Sequence, residues 1–412
     1  MTEDAMIERR RRLLGPAYRL FYGHPLHIVR GEGVWLFDAD GRRYLDVYNN
    51  VASLGHCHPE VVDATSRQAA VLNTHTRYLH DGILDYAERL LAEFPAAIGH
   101  LMMTCTGSEA NDLALRIARR FTGGTGVIVT AHAYHGVTAA LAELSPSLGP
   151  AIERGPHVHL VPAPTGTGDG FAAGVRAALA RMAETGTKPA ALLVDTIFSS
   201  DGVVPGEAGF LAPAVDAVRA AGGLFIADEV QPGFGRTGEA LWGFARHGVV
   251  PDLVTLGKPM GNGHPVAGVV MRPEVVADFG RDIRYFNTFG GNPVSVAAAD
   301  AVLNIVKRDD LAGNARRVGA YLAAGLRDLA SRCDTLGEVR GAGLFVGADI
   351  MRDGRPARAE AARLVDDLRE RGVLISATGP EGHTLKIRPP LVFTEAHADL
   401  FLETMAAALA AL

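Results

Sequence analysis

Two residues that follow runs of apolar residues, Lys258 and Asp228, have side chains of types used in catalysis. Lys258 follows residues 253–256 and precedes the glycine-rich stretch 259–263. Lysine is mostly exposed in proteins, so a lysine that closes a buried strand requires an explanation. Desolvation and a nearby cation lower the pKa of an amine and free it for Schiff-base formation. Asp228 closes the run 224–227 and is either a surface acid at a strand end or a charge held by a rigid element.

A segment suited to binding phosphate lies at residues 104–111, Thr-Cys-Thr-Gly-Ser-Glu-Ala-Asn. A helix is predicted to follow over residues 112–120, and the free backbone N–H groups and dipole at a helix start attract anions. Gly107 would allow a close approach, and Ser108 would add a hydroxyl. The alternative is an ordinary helix cap, because Ser and Thr are common N-caps.

An aromatic residue follows a predicted strand in the motif Ala-Tyr-His-Gly, residues 133–136. Tyr134 offers a plane on which a flat heteroaromatic ring could stack, and an ordinary loop aromatic is the alternative. Each of these features is weak alone. Their occurrence together in one chain is what indicates a catalytic site.

The elements that must position these residues follow an α/β pattern. Between about residues 60 and 290, short β-branched runs alternate with amphipathic helical stretches, which is typical of a mainly parallel sheet with helices on both faces. Strands are predicted at residues 126–129, 192–194, 224–227, 253–256 and 268–270. Ligands of such sheets lie beyond the carboxyl ends of the strands, where Asp228 and Lys258 are expected.

The remainder of the chain is predicted to form a smaller α+β domain. Helices are predicted at residues 294–307, 314–330 and 358–370, with a strand at 344–347. We therefore expect an N-terminal segment over residues 1–58 that packs with the small domain, a large domain over residues 59–293 and a C-terminal α+β domain over residues 294–412.

Taken together, the motifs resemble those of the class III aminotransferases, which are pyridoxal-phosphate (PLP) enzymes of fold type I. The resemblance is carried by Asp-Glu-Val-Gln-Pro-Gly-Phe-Gly-Arg-Thr-Gly at residues 228–238 and Pro-Asp-Leu-Val-Thr-Leu-Gly-Lys at residues 251–258. It continues at residues 55–59, 107–111, 134–136, 288–293 and 388–391. It implies an α/β fold, with a large domain built on a mainly parallel seven-stranded sheet and a small α+β domain formed by the N- and C-terminal segments.

The resemblance also implies a role for each matching residue. Lys258 would carry PLP and serve as the catalytic base, and Asp228 would keep the pyridine nitrogen protonated so that the ring accepts electrons. Tyr134 and Val230 would cover the two ring faces, and Gln231 would lie near the 3-oxygen.

The phosphate of PLP is expected to be held by two subunits. The resemblance places Gly107 and Ser108 of one subunit and Thr288 of its neighbour around it, which implies a homodimer with shared active sites. His135, from the Tyr-His-Gly motif, is also counted among the cofactor-binding residues.

One segment departs from the family pattern Glu-Pro-x-x-x-Glu-Gly-Gly. This chain has Asp195 at the first Glu and Ser200 at the second. In glutamate-using members, the second Glu pairs with the arginine that matches Arg388 and masks it. With Ser200 there, Arg388 is expected to present a standing positive charge to an anionic substrate, which argues against a glutamate/2-oxoglutarate transaminase.

Residues 48–59, 72–80 and 257–265 are similar to the PLP-dependent phospho-lyases that act on ethanolamine phosphate or phosphohydroxylysine. This subgroup eliminates phosphate and ammonia from a small amino-alkyl phosphate and needs a second anion site. Candidates for that site are Arg388, Arg77 and the polar pair Asn49 and Asn50. The alternatives are structural: Arg77 could be a surface ion-pair partner, and Asn49 and Asn50 could belong to an ordinary turn.

Three other functions stay open at this level. The first is an aminotransferase that uses pyruvate or glyoxylate as acceptor, and the second is ammonia-lyase chemistry on an aminophosphonate. The most distant is a non-catalytic PLP-binding module, which the presence of Lys258, Asp228, Gln231 and the phosphate-site residues disfavours.

Composition narrows the classes of partner. The formal net charge of -6 and the absence of a long basic run give no support for nucleic-acid binding. We expect no membrane span and no secretory signal, and the three scattered cysteines fit a reducing compartment, so a cytoplasmic protein is expected. His56-Cys57-His58 lacks a second ligand pair, and no metal is expected.

Overall fold

The computed structural model describes residues 3–165 and 169–412. The strands are β1 (Ile28–Glu32), β2 (Trp35–Asp38), β3 (Arg43–Asp46), β4 (His100–Thr104), β5 (Gly126–Thr130), β6 (Val158–Val161), β7 (Pro189–Asp195), β8 (Leu224–Asp228), β9 (Leu253–Leu256), β10 (Ala267–Met271), β11 (Leu336–Ala342), β12 (Phe345–Arg352), β13 (Arg355–Pro356), β14 (Val373–Leu374), β15 (Ser376–Thr378) and β16 (Thr384–Ile387). The α-helices are α1 (Glu3–Leu14), α2 (Pro59–Ala69), α3 (Asp81–Leu91), α4 (Gly107–Thr122), α5 (Ala139–Glu143), α6 (Asp169–Glu184), α7 (Ala212–Ala220), α8 (Pro273–Asp282), α9 (Pro293–Arg308), α10 (Leu311–Ala330), α11 (Arg358–Glu370) and α12 (Glu395–Ala410).

A seven-stranded sheet forms the centre of the large domain, in the order β4-β10-β9-β8-β7-β5-β6. The neighbours from β9 to β6 pair in parallel, and β10 is antiparallel to both β4 and β9. The mainly parallel sheet is therefore confirmed, and the five predicted strands correspond to β5, β7, β8, β9 and β10. Strands β4 and β6 were not predicted, because His-Leu-Met-Met-Thr and Val-His-Leu-Val lack a clear β-branched run.

The helix at the predicted phosphate turn starts earlier than the sequence indicated. It was predicted to begin at residue 112, but α4 begins at Gly107, so the prediction of its start was wrong. The reason is a capping box: Thr106 Oγ1 accepts from the backbone N–H of Glu109, and the Glu109 carboxylate accepts from the backbone N–H of Thr106. The glycine and serine of the motif therefore lie in the first helical turn, where backbone N–H groups are free.

Two smaller sheets join distant parts of the chain. Strands β1, β2 and β3 form a sheet with β14, in which Leu45 of β3 lies opposite Val373 in parallel pairing. The N-terminal segment therefore pairs directly with the C-terminal part of the chain. A second sheet has the order β11-β12-β16-β15, with β13 paired to β12. The exact domain boundaries stay a prediction.

Strand β16 presents one apolar and one polar face. Leu385 and Ile387 are fully buried in the main core, whereas Thr384 and Lys386 alternate with them and face the other way. Arg388 is the first residue after the strand and continues this alternation. The loop over residues 195–203 packs on the polar side of this sheet, where Thr384 Oγ1 lies 3.5 Å from a Cβ built on Gly202. This contact brings the small domain to the edge of the large sheet.

The loop over residues 195–203 has an unusual backbone. Phe198 has a φ of 50° and Val203 a φ of 59°, in the left-handed region that β-branched and bulky residues rarely adopt. Both side chains are buried, and Arg340 donates to the backbone oxygens of Gly202 and Val203. Surrounding contacts thus hold the loop in one strained shape, as is common beside functional sites.

In the part of the chain that the structure describes, we find no helix long and apolar enough to cross a membrane.

Candidate active site

A pocket lies at the carboxyl ends of β8 and β9, where parallel sheets place their ligands. It leaves about 440 Å³ of space, part of it open to solvent. Its walls are formed by Gly107, Ser108, Asn111, Tyr134, His135, Gly136, Asp195, Asp228, Val230, Gln231 and Lys258. The structure therefore brings together every predicted cofactor-binding residue except Thr288.

Asp228 is held by a buried hydrogen-bond network. Its Oδ2 accepts from His135 Nδ1 at 2.7 Å and from Asn111 Nδ2 at 2.8 Å, and its Oδ1 accepts from the backbone N–H of Val230 at 3.1 Å. Asn111 is fixed in turn by Thr255, whose hydroxyl donates to Asn111 Oδ1 at 2.7 Å. The carboxylate is thus held in one orientation.

Lys258 lies immediately after β9 and is the cation of the pocket. Burial lowers its pKa, the positive charge of Arg388 lowers it further, and Asp228 and Asp195 oppose the shift. A lysine whose pKa is lowered has a larger fraction of free amine at neutral pH, which Schiff-base chemistry and proton abstraction both require.

The first turn of α4 closes the pocket on the side of β4. A Cβ at position 107 would lie 2.9 Å from two methyl carbons of Val230, so only glycine fits there. Ser108 Oγ accepts from the backbone N–H of Val137 at 3.2 Å. The helix start, the glycine and the hydroxyl together form a site suited to a phosphate.

The remaining walls are aromatic, aliphatic and amide side chains. Tyr134 is half-buried, and burial together with the charge of Asp228 raises its pKa, which keeps the phenol neutral. Gln231 donates from its amide nitrogen to Ser199 and accepts from Arg388. His135 lines the pocket, but its Nδ1 is committed to Asp228, so it acts chiefly by orienting that acid.

Two predicted site residues do not line this pocket. Thr288 is exposed on the loop before α9, and Arg77 is exposed with its guanidinium carbon 3.8 Å from the ring centre of Phe286. The two loops are in contact, because a Cβ on Gly291 would meet Thr76 at 2.9 Å. The prediction that Arg77 binds substrate therefore finds no support within one chain.

Arg388 and Asn50 lie behind Gln231. Arg388 is 5% exposed; its Nε donates to the backbone oxygen of Tyr48 at 3.1 Å and its Nη1 donates to Gln231 Oε1. It has no carboxylate partner in the described residues. Asn50 Nδ2 donates to the backbone oxygen of Gln231 at 3.3 Å, and its buried Oδ1 has no partner in the same part of the chain.

Three residues at the site were missed or undervalued at the sequence level. Asn111 was quoted only as part of a motif, although it lies four positions after Gly107 and hence on the same helix face. Asp195 was treated only as a conservative replacement, yet it lines the pocket. Lys386 was not considered. Its spacing of two from Arg388 on a strand was the available signal, because residues i and i+2 share a face.

The residues of this pocket fit PLP. That cofactor requires an amine for its aldehyde, an acid for its ring nitrogen and a phosphate site, and Lys258, Asp228 and the Gly107–Ser108 turn supply these on three neighbouring elements. Tyr134 and Val230 both line the pocket and supply an aromatic and an aliphatic surface for the cofactor ring.

Comparisons with known proteins agree with this geometry. The family model for class III aminotransferases matches residues 21–409. An alanine–glyoxylate aminotransferase 2-like protein of Drosophila melanogaster is 41% identical, covering 98% of this chain and 86% of that protein. The ethanolamine-phosphate phospho-lyase homolog 1 of Caenorhabditis elegans is 36% identical, covering 98% of this chain and 92% of its own.

Among solved structures, a phospholyase from Arthrobacter in complex with phosphoethanolamine is 46% identical, with a TM-score of 0.96. The match covers 99% of this chain and 100% of that one. The fold is therefore fold type I, the cofactor is PLP, and the resemblance seen in the motifs is confirmed. This chain belongs to the class III aminotransferase family of PLP-dependent enzymes.

Proposed function

We propose that this enzyme is a phospho-lyase that eliminates phosphate and ammonia from a small amino-alkyl phosphate such as ethanolamine phosphate. The observation that carries the proposal is Arg388, a buried guanidinium with no carboxylate partner in the described part of the chain. A cation left without a counter-ion beside the catalytic lysine favours a substrate that brings its own negative charge.

The loop over residues 195–203 explains why Arg388 is unmasked. Ser200 replaces the acid that would pair with it, and the neighbouring acid, Asp201, is engaged by Thr130, whose hydroxyl donates to Asp201 Oδ2 at 2.8 Å. Asp195 is engaged with the backbone N–H groups of Ile197 and Ser199. Similarity to the Arthrobacter phospholyase, solved with phosphoethanolamine, supports the same substrate class.

The chain's own residues can carry out the elimination. When bound, PLP supplies an electron sink for the carbon that loses its proton. Lys258 Nζ takes that proton from the carbon bearing the amino group. The electron pair left there expels phosphate from the adjacent carbon as the C–O bond breaks, and Arg388 stabilises the departing charge. One ethanolamine phosphate and one water then yield acetaldehyde, ammonia and phosphate, without a keto acid.

A second candidate is an aminotransferase with pyruvate or glyoxylate as acceptor. The specific observation in its favour is the 41% identity to the alanine–glyoxylate aminotransferase 2-like protein of Drosophila melanogaster. Arg388 would then bind the carboxylate of the amino acid and of the keto acid. The two candidates differ in whether the carbon next to the amine carries a leaving group.

We also propose a homodimer in which Thr288 reaches the cofactor phosphate of the neighbouring subunit. The exposed position of Thr288, outside the pocket of its own chain, supports this arrangement. A cytoplasmic location stays a prediction.

The test is to incubate the holoenzyme with ethanolamine phosphate in the absence of any keto acid and to measure phosphate and acetaldehyde. Release of many equivalents of both per active site is expected. A Lys258→Ala enzyme loaded with PLP is the control for non-enzymatic release. A transaminase would stop after one half-reaction and leave phosphate on its product, so turnover that appears only with added pyruvate or glyoxylate would overturn the proposal.

A further inference from the structure

Lys386 is a buried lysine two residues before Arg388, and the charges of Arg388, Asp195 and Lys258 act on it. It is one of four lysines in a chain with 40 basic residues, the others being Lys188, Lys258 and Lys307. It is 9% exposed and makes no hydrogen bond or ion pair with any described residue. Lysine is rarely buried without a partner, because an unpaired ammonium loses its hydration without compensation.

The strand fixes the direction of this side chain. Leu385 and Ile387 enter the core, so Lys386 must lie on the opposite face of β16, and Arg388, the first residue after the strand, continues this alternation. Opposite Lys386 in the sheet is Gly347, where a Cβ would lie 3.0 Å from Val203 Cβ and 3.1 Å from the backbone oxygen of Gly202. The glycine lets the loop over residues 195–203 pack closely, which places Lys386 at the junction of the two domains.

The electrostatic surroundings of Lys386 are those of the active site. Burial lowers its pKa well below the ordinary value, and Arg388 is the next largest cause. The charged groups that act on it, or on which it acts, are Arg388, Asp195, Lys258, Asp201 and His132. Lys386 and Arg388 are two positions apart in the sequence, and their positive charges repel each other. The repulsion destabilises the fold unless an anion lies between the two side chains.

Two acids of the protein, Asp195 and Asp201, have to be considered as that anion. Both oxygens of Asp195 accept hydrogen bonds from the 197–199 backbone. Asp201 is directed to Thr130 through Oδ2, although its buried Oδ1 has no partner in the described chain. Asp201 is therefore the rival partner for Lys386, and the experiment must separate it from an external ligand.

We propose that Lys386 and Arg388 together bind the phosphate group of the substrate, and that Lys386 selects a doubly charged phosphate over a singly charged carboxylate. This inference rests on the proposed lyase function. Two positions apart on a strand, the two Cα atoms are roughly 7 Å apart, a span that two long side chains can close around one tetrahedral anion. Arg388 uses Nε and Nη1 on protein oxygens, which leaves Nη2 for the ligand. An anion bound between the two side chains favours the protonated form of Lys386, whose three N–H groups can then donate to that anion.

The experiment is calorimetric titration of the holoenzyme with inorganic phosphate and, separately, with acetate. Because PLP fills the Gly107–Ser108 site, added phosphate reports on the second anion site. Lys386→Met is expected to weaken phosphate binding at least tenfold and acetate binding less than threefold. Lys386→Arg, which keeps the charge, is expected to retain phosphate binding within about threefold. Lys188→Met, which removes an exposed lysine from the far end of β7, is the matched control.

Unchanged phosphate affinity in Lys386→Met would overturn the proposal and leave Lys386 as the counter-ion of Asp201. Asp201→Asn separates the two roles, because removal of a competing negative charge should tighten phosphate binding if Lys386 serves the ligand. Weaker phosphate binding in that variant would contradict the proposal.

If the lysine variants fail to fold, the wild-type enzyme still provides a test. Phosphate should slow acetylation of Lys386 by an N-hydroxysuccinimide ester, followed by peptide mass mapping, and should leave Lys188 and Lys307 unaffected. Equal labelling of Lys386 with and without phosphate would refute the site.

The lyase proposal and this one can fail separately. Phosphate binding that depends on Lys386, in an enzyme that does not turn over ethanolamine phosphate, would refute the lyase and support the site. Turnover of ethanolamine phosphate with a KM that Lys386→Met leaves unchanged would support the lyase and refute the site.

Discussion

The two ends of the pocket are built in opposite ways. At the cofactor end, Asp228, His135, Asn111 and Thr255 form a continuous chain of hydrogen bonds between 2.7 and 2.8 Å. At the proposed substrate end, formed by Arg388, Lys386 and Asn50 behind Gln231, the buried Asn50 Oδ1 has no partner among the described residues. Lys386 is 9% exposed and makes no hydrogen bond to another described residue. Apart from His135 Nε2, which is buried without a partner among the described residues, the network at the cofactor end is satisfied without a ligand and can hold a permanent group in one orientation. The free groups at the substrate end can instead be satisfied by a ligand that comes and goes.

This difference predicts how each end responds to substitution. Changes at the cofactor end should affect every reaction of the enzyme equally, because they alter the cofactor itself. Changes at the substrate end should depend on the charge of the ligand.

The largest effect is expected for Lys258→Ala. The variant should lose the visible absorbance band of lysine-bound PLP, and turnover of any substrate should fall about ten-thousandfold, because both the covalent anchor and the base are removed. Absorbance spectra and steady-state assays measure both effects, with Lys188→Ala as the control. A persistent band that borohydride fixes to another residue would refute the assignment of Lys258.

Asp228→Asn should have the next largest effect. The amide keeps the shape of the side chain but cannot hold a proton on the pyridine nitrogen, so turnover should fall about a thousandfold, comparable to the loss of a main electrostatic contact. The loss should be the same for phosphorylated and carboxylated substrates when kcat/KM values are compared. A loss confined to one substrate class would break the proposed contrast between the two ends.

The cofactor end should also determine part of the pH dependence of the free energy of unfolding. Glu229 is fully buried beside Asp228, and burial raises its pKa to about 7, although Gly243, Thr196 and Phe244 donate to it. An acid whose pKa is raised by folding stabilises the fold at low pH, and this contribution is lost as the pH rises through its folded pKa. The free energy of unfolding should therefore fall between about pH 4.5 and 7 by on the order of 3 kcal/mol from this group.

Urea denaturation at pH 5 and pH 7.5 measures that change. Glu229→Gln should be less stable than wild type at pH 5, because an amide nitrogen cannot accept from the backbone N–H of Gly243 or Phe244. Its stability should also vary less with pH. An equal pH dependence in both proteins would show that Glu229 does not change protonation on unfolding.

Arg388→Ala tests the substrate end. Removing one charge-assisted contact should weaken binding of ethanolamine phosphate by about 2 kcal/mol, or roughly thirtyfold, and leave PLP bound to Lys258. Equilibrium titration of the holoenzyme measures this affinity, and Arg388→Lys should recover part of it. Unchanged affinity would show that another residue holds the anion.

The same contrast explains what the sequence could and could not predict. Asp228 and Lys258 each close an apolar run, and Gly107 and Ser108 open a helix, so each could be located from local pattern alone. Lys386 has an ordinary local context, and its importance depends on the packing of β16 against the 195–203 loop. That packing brings together residues far apart in sequence, which local patterns do not encode.

The smallest effect is expected for Thr288→Val, which tests whether the cofactor end is complete within one chain. If Thr288 of a second copy donates to the cofactor phosphate, its loss removes one hydrogen bond and should weaken PLP retention by about 1 kcal/mol, or roughly fivefold. The effect should appear in equilibrium dialysis at protein concentrations where the dimer persists and should vanish under conditions that dissociate it. Thr125→Val, next to β5, is the matched control. Equal retention in both variants of the dimer would mean that Gly107 and Ser108 hold the phosphate without help from the neighbour, and that the cofactor end is as self-contained as its hydrogen bonds indicate.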